Sequence, residues 1–149
     1  MRSIILLILI CSATSCENPS QEQAEAVELA DNLEMKEIYQ ADQADRQTEN
    51  INWFEVLKRD SSRQARVYEL LDSGKVRTSK DYYNAAMVFQ HGEDTIASGM
   101  AVKMMKKAIH FDPSTNKWLL AAAIDRDLMR KDQPQIYGTQ YTKSSLDEP

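Results

Sequence analysis

The chain has 149 residues, is 28% charged and 42% hydrophobic, and carries a formal net charge of −5 at pH 7. That length suits one domain around one core. An acidic chain lacks the basic footprint that nucleic acid demands, and it is not drawn electrostatically to anionic lipid.

The first sixteen residues read as an address. Arg2 gives a positive start, Ile4 to Ile10 form an unbroken apolar run, and Ser12-Ala13-Thr14-Ser15 leads into Cys16. The run is too short to span a bilayer and has the order of an export signal. A cysteine directly after small residues resembles a bacterial lipoprotein cleavage box, with Ala13 where leucine is commoner. The expectation is a signal peptide over 1–15, lipidation of Cys16, and a protein held at the cell envelope by acyl chains. An ordinary secretory signal would leave Cys16 a bystander. Losing the signal removes Arg2 and no acidic residue, so the mature chain is one unit more negative. Cys11 and Cys16 are the only cysteines. The body therefore has no disulfide, catalytic thiolate or cysteine-ligated metal.

Residues 16–23 are polar and include Pro19, as expected of a tether. A helical domain is expected over 24–141. Val27, Ala30, Leu33 and Ile38 recur at helical intervals from about Ala24. The stretch from Gln40 to Asn52 is very polar, and Trp53, Phe54, Val56 and Leu57 then form a compact apolar group. A second helix is expected from Ser61 to Ser73, with Val67, Tyr68, Leu70 and Leu71 inward and Gly74 as its left-handed stop. A third opens at a capping box, Thr78-Ser79-Lys80-Asp81, and stops at Gly92. A fourth starts near Asp94-Thr95, burying Ala97, Met100, Ala101, Met104, Met105 and Ala108 while Lys103, Lys106 and Lys107 face away. Asp112-Pro113 reads as the cap and first position of a fifth. That helix holds the apolar run Trp118 to Ile124, and its stripe points Trp118 and Asp125 inward. The segment from Asp132 to Tyr141 is irregular, and 142–149 is expected to be a disordered tail.

With 4 glycines and no hairpin signal, the expected fold is all-α: a single small bundle of about five helices with antiparallel, tetratricopeptide-like hairpins. Ala101, Ala108 and Pro113 supply the tetratricopeptide spacing once, and no second copy appears.

Candidate functional residues are polar groups sharing a face with core residues, because an unpaired buried charge is costly. Asp125 is either half of an internal ion pair with Arg126, Arg46, Arg63 or Arg66, or a base or ligand-orienting carboxylate. His91 sits at a helix C-terminus, where the dipole favours a cation. It is either a capping group or a general base oriented by Asp125 or Asp45. Asn84, Gln90 and His91 are expected to cluster facing the Asp125 helix. His110 reads as solvated. No metal is expected, since the two histidines lie on different helices without metalloprotease spacing, and a carboxylate set of Asp42, Asp45 and Asp125 carries little weight. No cofactor motif, serine elbow or glycine-rich phosphate loop is present.

The motifs taken together, Asp42-Gln43-Ala44-Asp45-Arg46, Arg66 to Leu71, Asp81 to Gly92, Asp125-Arg126 and Gln135 to Gln140, resemble a family of uncharacterised bacterial domains. That family is marked by a tyrosine- and alanine-rich segment ending in Gln-His and by a closing Tyr-Gly-Thr-Gln. The resemblance covers about 40–141. It implies no activity, but it marks Asp42, Gln43, Arg46, Gln90, His91, Asp125, Arg126, Gln135 and Gln140 as motif positions. Asp127 stands where an aromatic is usual, and Asp132 where glycine usually ends the last helix. Tyr137 and the glutamines are expected to make the closing segment a lid over the Asp125 helix. Two functions are then open. One is a lipid-anchored binding or interaction module, taking a protein partner or small ligand. The other is a small envelope hydrolase with His91 as base and Arg46 or Arg126 steadying an anion.

Overall fold

The computed structural model describes residues 29–140, and within them the fold is all-α. Five helices follow in order: α1 (Leu33–Asp45), α2 (Trp53–Asp72), α3 (Ser79–Gln90), α4 (Thr95–Phe111) and α5 (Trp118–Arg130). No helix among the described residues is long and apolar enough to cross a membrane. The signal peptide, Cys16, the tether and the tail from Tyr141 lie outside the described residues.

α3 is the hub. It packs against all four other helices, most extensively α4, and eight of its twelve residues are buried. Small residues suit the close packing: Ala85 and Ala86 of α3 and Ala101 and Ala108 of α4 are all buried in one core cluster, and their methyl groups hold the axes apart very little. Phe89, Met35, Leu70, Met104, Met105, Val67 and Val88 fill the remaining core. Short turns between α3 and α4 and between α4 and α5 make both pairs hairpins.

Local chemistry sets most ends. Thr78 accepts from the Asp81 N–H at 3.1 Å, and the Asp81 carboxylate accepts from Thr78 N–H at 3.2 Å, completing the capping box. Asp81 does more than the motif requires. It also accepts from the N–H groups of Arg77 and Asn32, tying the start of α1 to the start of α3. Gly74 (φ +67°) and Asp132 (φ +55°) both adopt the left-handed conformation after α2 and α5. After α5, the N–H of Gln133 reaches Leu128 O and that of Asp132 reaches Met129 O, a Schellman closure with aspartate in the usual glycine position.

Two expected boundaries are corrected. The start expected near Ala24 lies outside the described residues; within them α1 begins at Leu33, because Asn32 accepts from Met35 N–H at 2.9 Å and is pinned to Asp81. It then continues through the polar stretch to Asp45, since those polar side chains face α2 and α3. α2 begins at Trp53, capped by Asn52, eight residues before the expected Ser61. Trp53 and Phe54 are exposed, and only Val56 of that apolar group is buried. Asp112-Pro113 does not start α5: Asp112 accepts from the Ser114 N–H and hydroxyl, making a turn. Asn116 accepts from Trp118 N–H instead. Beginning there rotates the apolar run so that Leu119, Ala122 and Ala123 are buried. Trp118 is 62% exposed, not inward.

Gly92 marks a close approach between the α3–α4 turn and its neighbours. A Cβ there would stand 2.2 Å from the Cβ of Ala97 and 2.8 Å from Gln64 Oε1. Gln64 can swing away, but Ala97 is fixed by α4. Gly92→Ala is expected to destabilise the fold by about 1–3 kcal/mol in urea denaturation, as overpacking of a filled core does. An unchanged midpoint would mean the α3–α4 turn has slack.

Candidate functional site

Two polar assemblies and one groove bring the sequence candidates together. The first assembly lies where α1 crosses α2 and the end of α3. Helical spacing puts Asp42, Asp45 and Arg46 on one side of α1, and Arg59, Asp60 and Arg63 on the facing side of α2. Asp42 is fully buried and Asp60 is 2% exposed. Arg46 bridges them, with Nη1 3.2 Å from Asp42 Oδ1 and Nη2 2.5 Å from Asp60 Oδ2. Arg63 donates to Asp60 at 2.9 Å and also to Asp45, which accepts from Arg59 Nε at 2.8 Å. The hydrogen bond from Arg59, reinforced by Arg63 against the opposing effect of burial, holds the Asp45 carboxyl at about 2. Gln43 Nε2 donates to Asp42 at 2.8 Å.

His91, the C-cap of α3, completes this assembly. Its Nδ1 lies 2.9 Å from Asp42 Oδ2 and 3.0 Å from Oδ1. An ionised Asp42 fixes the tautomer with the proton on Nδ1. Nε2 makes no hydrogen bond among the described residues. His91 therefore meets Asp42, and neither Asp125 nor Asp45 orients it. Gln90 and His91 make no hydrogen bond to each other or to Asn84: His91 bonds to Asp42 of α1, whereas Gln90 Nε2 donates to Ala122 O of α5 at 3.3 Å.

The second assembly is a backbone nest around Asp125, which is fully buried. Oδ1 accepts from the N–H groups of Ile136 (2.8 Å) and Tyr137 (2.9 Å), and Oδ2 from the Thr139 N–H and hydroxyl (both 2.8 Å). Burial pushes this carboxyl up, but the four donors outweigh it and bring it down to about 2. The expected ion pair of Asp125 with Arg46, Arg63, Arg66 or Arg126 is not formed. Arg66 pairs with Glu34 and Glu69. Gln135 and Gln140 clamp the loop: Gln135 Nε2 donates to Gln140 O at 2.8 Å, and Gln140 N–H donates to Gln135 Oε1 at 2.9 Å. Gly138 (φ +66°) turns the chain between them. The Tyr137 side chain is 56% exposed, so only its N–H, not its ring, engages the α5 carboxylate.

A groove of about 340 Å³ runs between α3, α5 and this closing segment, lined by Met87, Gln90, His91, Trp118, Leu119, Ala122, Arg126, Thr139 and Gln140. Arg126 lies in its wall. Nε donates to Gln140 Oε1 at 2.8 Å and Nη1 to the Gln90 carbonyl at 2.6 Å. It has no carboxylate partner among the described residues. Burial, with repulsion from Arg130 and Arg46, pushes its guanidinium below the usual arginine value. Arg130 likewise donates only to the carbonyls of Gly92 and Asp94. Both arginines thus meet the negative C-terminal end of α3. The Gln90 Oε1 atom is buried and accepts no hydrogen bond.

The sequence reading missed Asp60 and Arg59, and it named Arg63 only as a partner for Asp125, whereas Arg63 pairs with Asp45 and Asp60. Asp60 carried a signal, since it falls four residues after Val56 and seven before Val67 on the buried stripe of α2. Asp127, the departure from the family pattern, accepts from Ser98 Oγ of α4 at 2.9 Å and from Lys131 at 2.5 Å, so it fastens α5 to α4. Among the described residues no group of three or more His, Cys, Asp or Glu is gathered to hold a metal ion. Asp42, Asp45 and Asp125 are instead spent on separate partners. The chain matches no family model, no curated protein and no solved structure.

Proposed function

We propose that this is a lipid-anchored protein of the bacterial cell envelope whose helical domain is a binding module, with the groove between α3, α5 and the closing segment as its ligand site. The observation that carries the site is Arg126, a half-buried cation that faces a concave groove of mixed polar and apolar lining and hydrogen-bonds only to neutral oxygens. A cation so placed is stabilised by a ligand that brings the missing charge. The α1–α2 network and the Asp125 nest then serve as the rigid frame, because every carboxylate in them is matched by donors. Attachment rests on the apolar run and Cys16, through acyl chains rather than surface charge.

A thermal-shift screen of small charged and neutral compounds on the full chain tests the site. Anionic compounds are expected to raise the midpoint, by mass action on the folded state. A screen in which no compound class does so would remove the binding reading. Anchoring is tested by labelled palmitate: incorporation is expected in the wild type and lost in Cys16→Ser. Unlabelled wild type would return the first sixteen residues to an ordinary secretory signal.

One observation favours the second reading, a small envelope hydrolase. The Asp42–His91 pair sets the Nδ1 proton and leaves Nε2 able to accept one from water at the groove wall. The orienting acid in that case is Asp42. Under this reading the wild type turns over an ester or amide and His91→Gln stays folded and loses that turnover, whereas under the binding reading the wild type itself turns over neither.

A further inference from the structure

We infer that the groove recognises a free carboxylate borne on the carbon that carries an amide N–H, the chemistry of an N-acylated amino acid. The inference rests on the binding reading above and names the class of ligand. Three features converge on it. Arg126 spends Nε on Gln140 and Nη1 on Gln90 O, and its Nη2 makes no bond among the described residues. One free guanidinium nitrogen, with a spare proton on Nη1, suits the planar oxygens of a single carboxylate. A phosphate group would need more donors than this wall offers. The carbonyl end of α3 also opposes a second negative charge.

Gln90 supplies the second feature. Its Nε2 is committed to Ala122 O, which fixes the orientation of the amide, and Oε1 is left buried with no donor. A buried carbonyl oxygen without a partner destabilises the folded chain. A donor N–H on the ligand satisfies it, and a simple carboxylate such as acetate has none to give. The third feature is the rest of the wall. Met87, Leu119, Ala122 and the exposed Trp118 form an apolar surface for a side chain. A volume of about 340 Å³ holds one acylated residue, not an extended peptide.

The test uses the full chain with Trp53→Phe. Trp53 is exposed at the start of α2, and the change leaves Trp118 as the single tryptophan. Its fluorescence is titrated with N-acetyl-leucine, N-acetyl-leucinamide, N-acetyl-N-methyl-leucine and inorganic phosphate. The expected result is saturable quenching by N-acetyl-leucine. Loss of the carboxylate in the amide should weaken binding by about tenfold or more, and loss of the N–H in the N-methyl compound by about fivefold or more. Phosphate should leave the signal unchanged. Adding Arg126→Gln, with folding checked by circular dichroism, should abolish the preference for acid over amide. Equal binding of acid and amide would overturn the carboxylate assignment while leaving the binding reading intact. Tighter binding of phosphate would overturn it too. Silence toward all four probes would also overturn it, and would count against the groove itself only if the wider screen found no ligand either.

Discussion

Arg46→Met is expected to be the most destabilising single substitution in the polar framework, costing about 3 kcal/mol, the lower end of the range for breaking a buried ion pair. Methionine keeps the length of the stem and removes only the charge and its donors. What remains is the problem: Asp42 is fully buried, Asp60 is 2% exposed, and Arg46 is the one group that touches both. Asp42 keeps His91 and Gln43, and Asp60 keeps Arg63, which is why the loss stops short of the upper end. Neutralising the stranded acid should return part of the stability. Asp60→Asn added to Arg46→Met is expected to cost less than the two single changes summed, with a coupling of about 1–2 kcal/mol. Urea denaturation of the four proteins measures this. Additive losses would mean that Arg46 contributes packing alone and that the acids are solvated when it is gone.

The same network shows which parts of the molecule could be read from the chain. Ends set by neighbours three or four residues away were legible: the capping box at Thr78, the Asp94 cap of α4, and the glycine after α2 all work through local bonds. The start of α2 was not legible. Arg59 and Asp60 fall outside the helix expected from Ser61 until α1 is placed opposite them, where their charges and that of Arg63 become one face of an inter-helix contact. Asp112-Pro113 misled for the opposite reason. The local signal for a cap was present, but Asp112 gives its carboxylate to Ser114, and α5 starts only at Trp118, whose N–H donates to Asn116.

The site divides in the same way. Burial of Asp125 follows from its place on an inward stripe, and Asp42 and Gln90, named as motif positions, are buried too. Their partners could not be named, because pairing depends on how separate helices cross. His91 and Asp42 are 49 residues apart, and their contact exists only once α1 lies across the end of α3. Asp125 was expected to seek a cation, yet backbone N–H groups 11 to 14 residues later satisfy it. No periodicity in α5 encodes that. What made it possible is Gly138, whose left-handed turn points successive N–H groups at one carboxylate.

That nest carries the second large prediction. Asp125→Asn keeps the size of the side chain but replaces one acceptor oxygen with an amide that donates. The Thr139 N–H and hydroxyl, or those of Ile136 and Tyr137, would then face another donor. The closing segment is expected to open locally while the five helices stay folded, and the amides of Ile136, Tyr137 and Thr139 should lose hydrogen-exchange protection by about tenfold or more. Thr139 and Gln140 form one wall of the groove, and Gln140 also holds Arg126, so affinity for N-acetyl-leucine should fall in the same variant. Acid should reproduce the effect in the wild type. The Asp125 carboxyl sits at about 2 in the folded chain, against an ordinary value of 3.8. A depressed value means that its stabilising bonds are fully present above about pH 4 and are lost as the pH falls through 2. The amide signals of those three residues should therefore move between about pH 4 and 2 in the wild type. In Asp125→Asn they should already lie at the acid position and stay there. Three protected, pH-insensitive amides in the variant would show that the segment is held by Gln135, Gln140 and Arg126, with Asp125 merely enclosed beneath it.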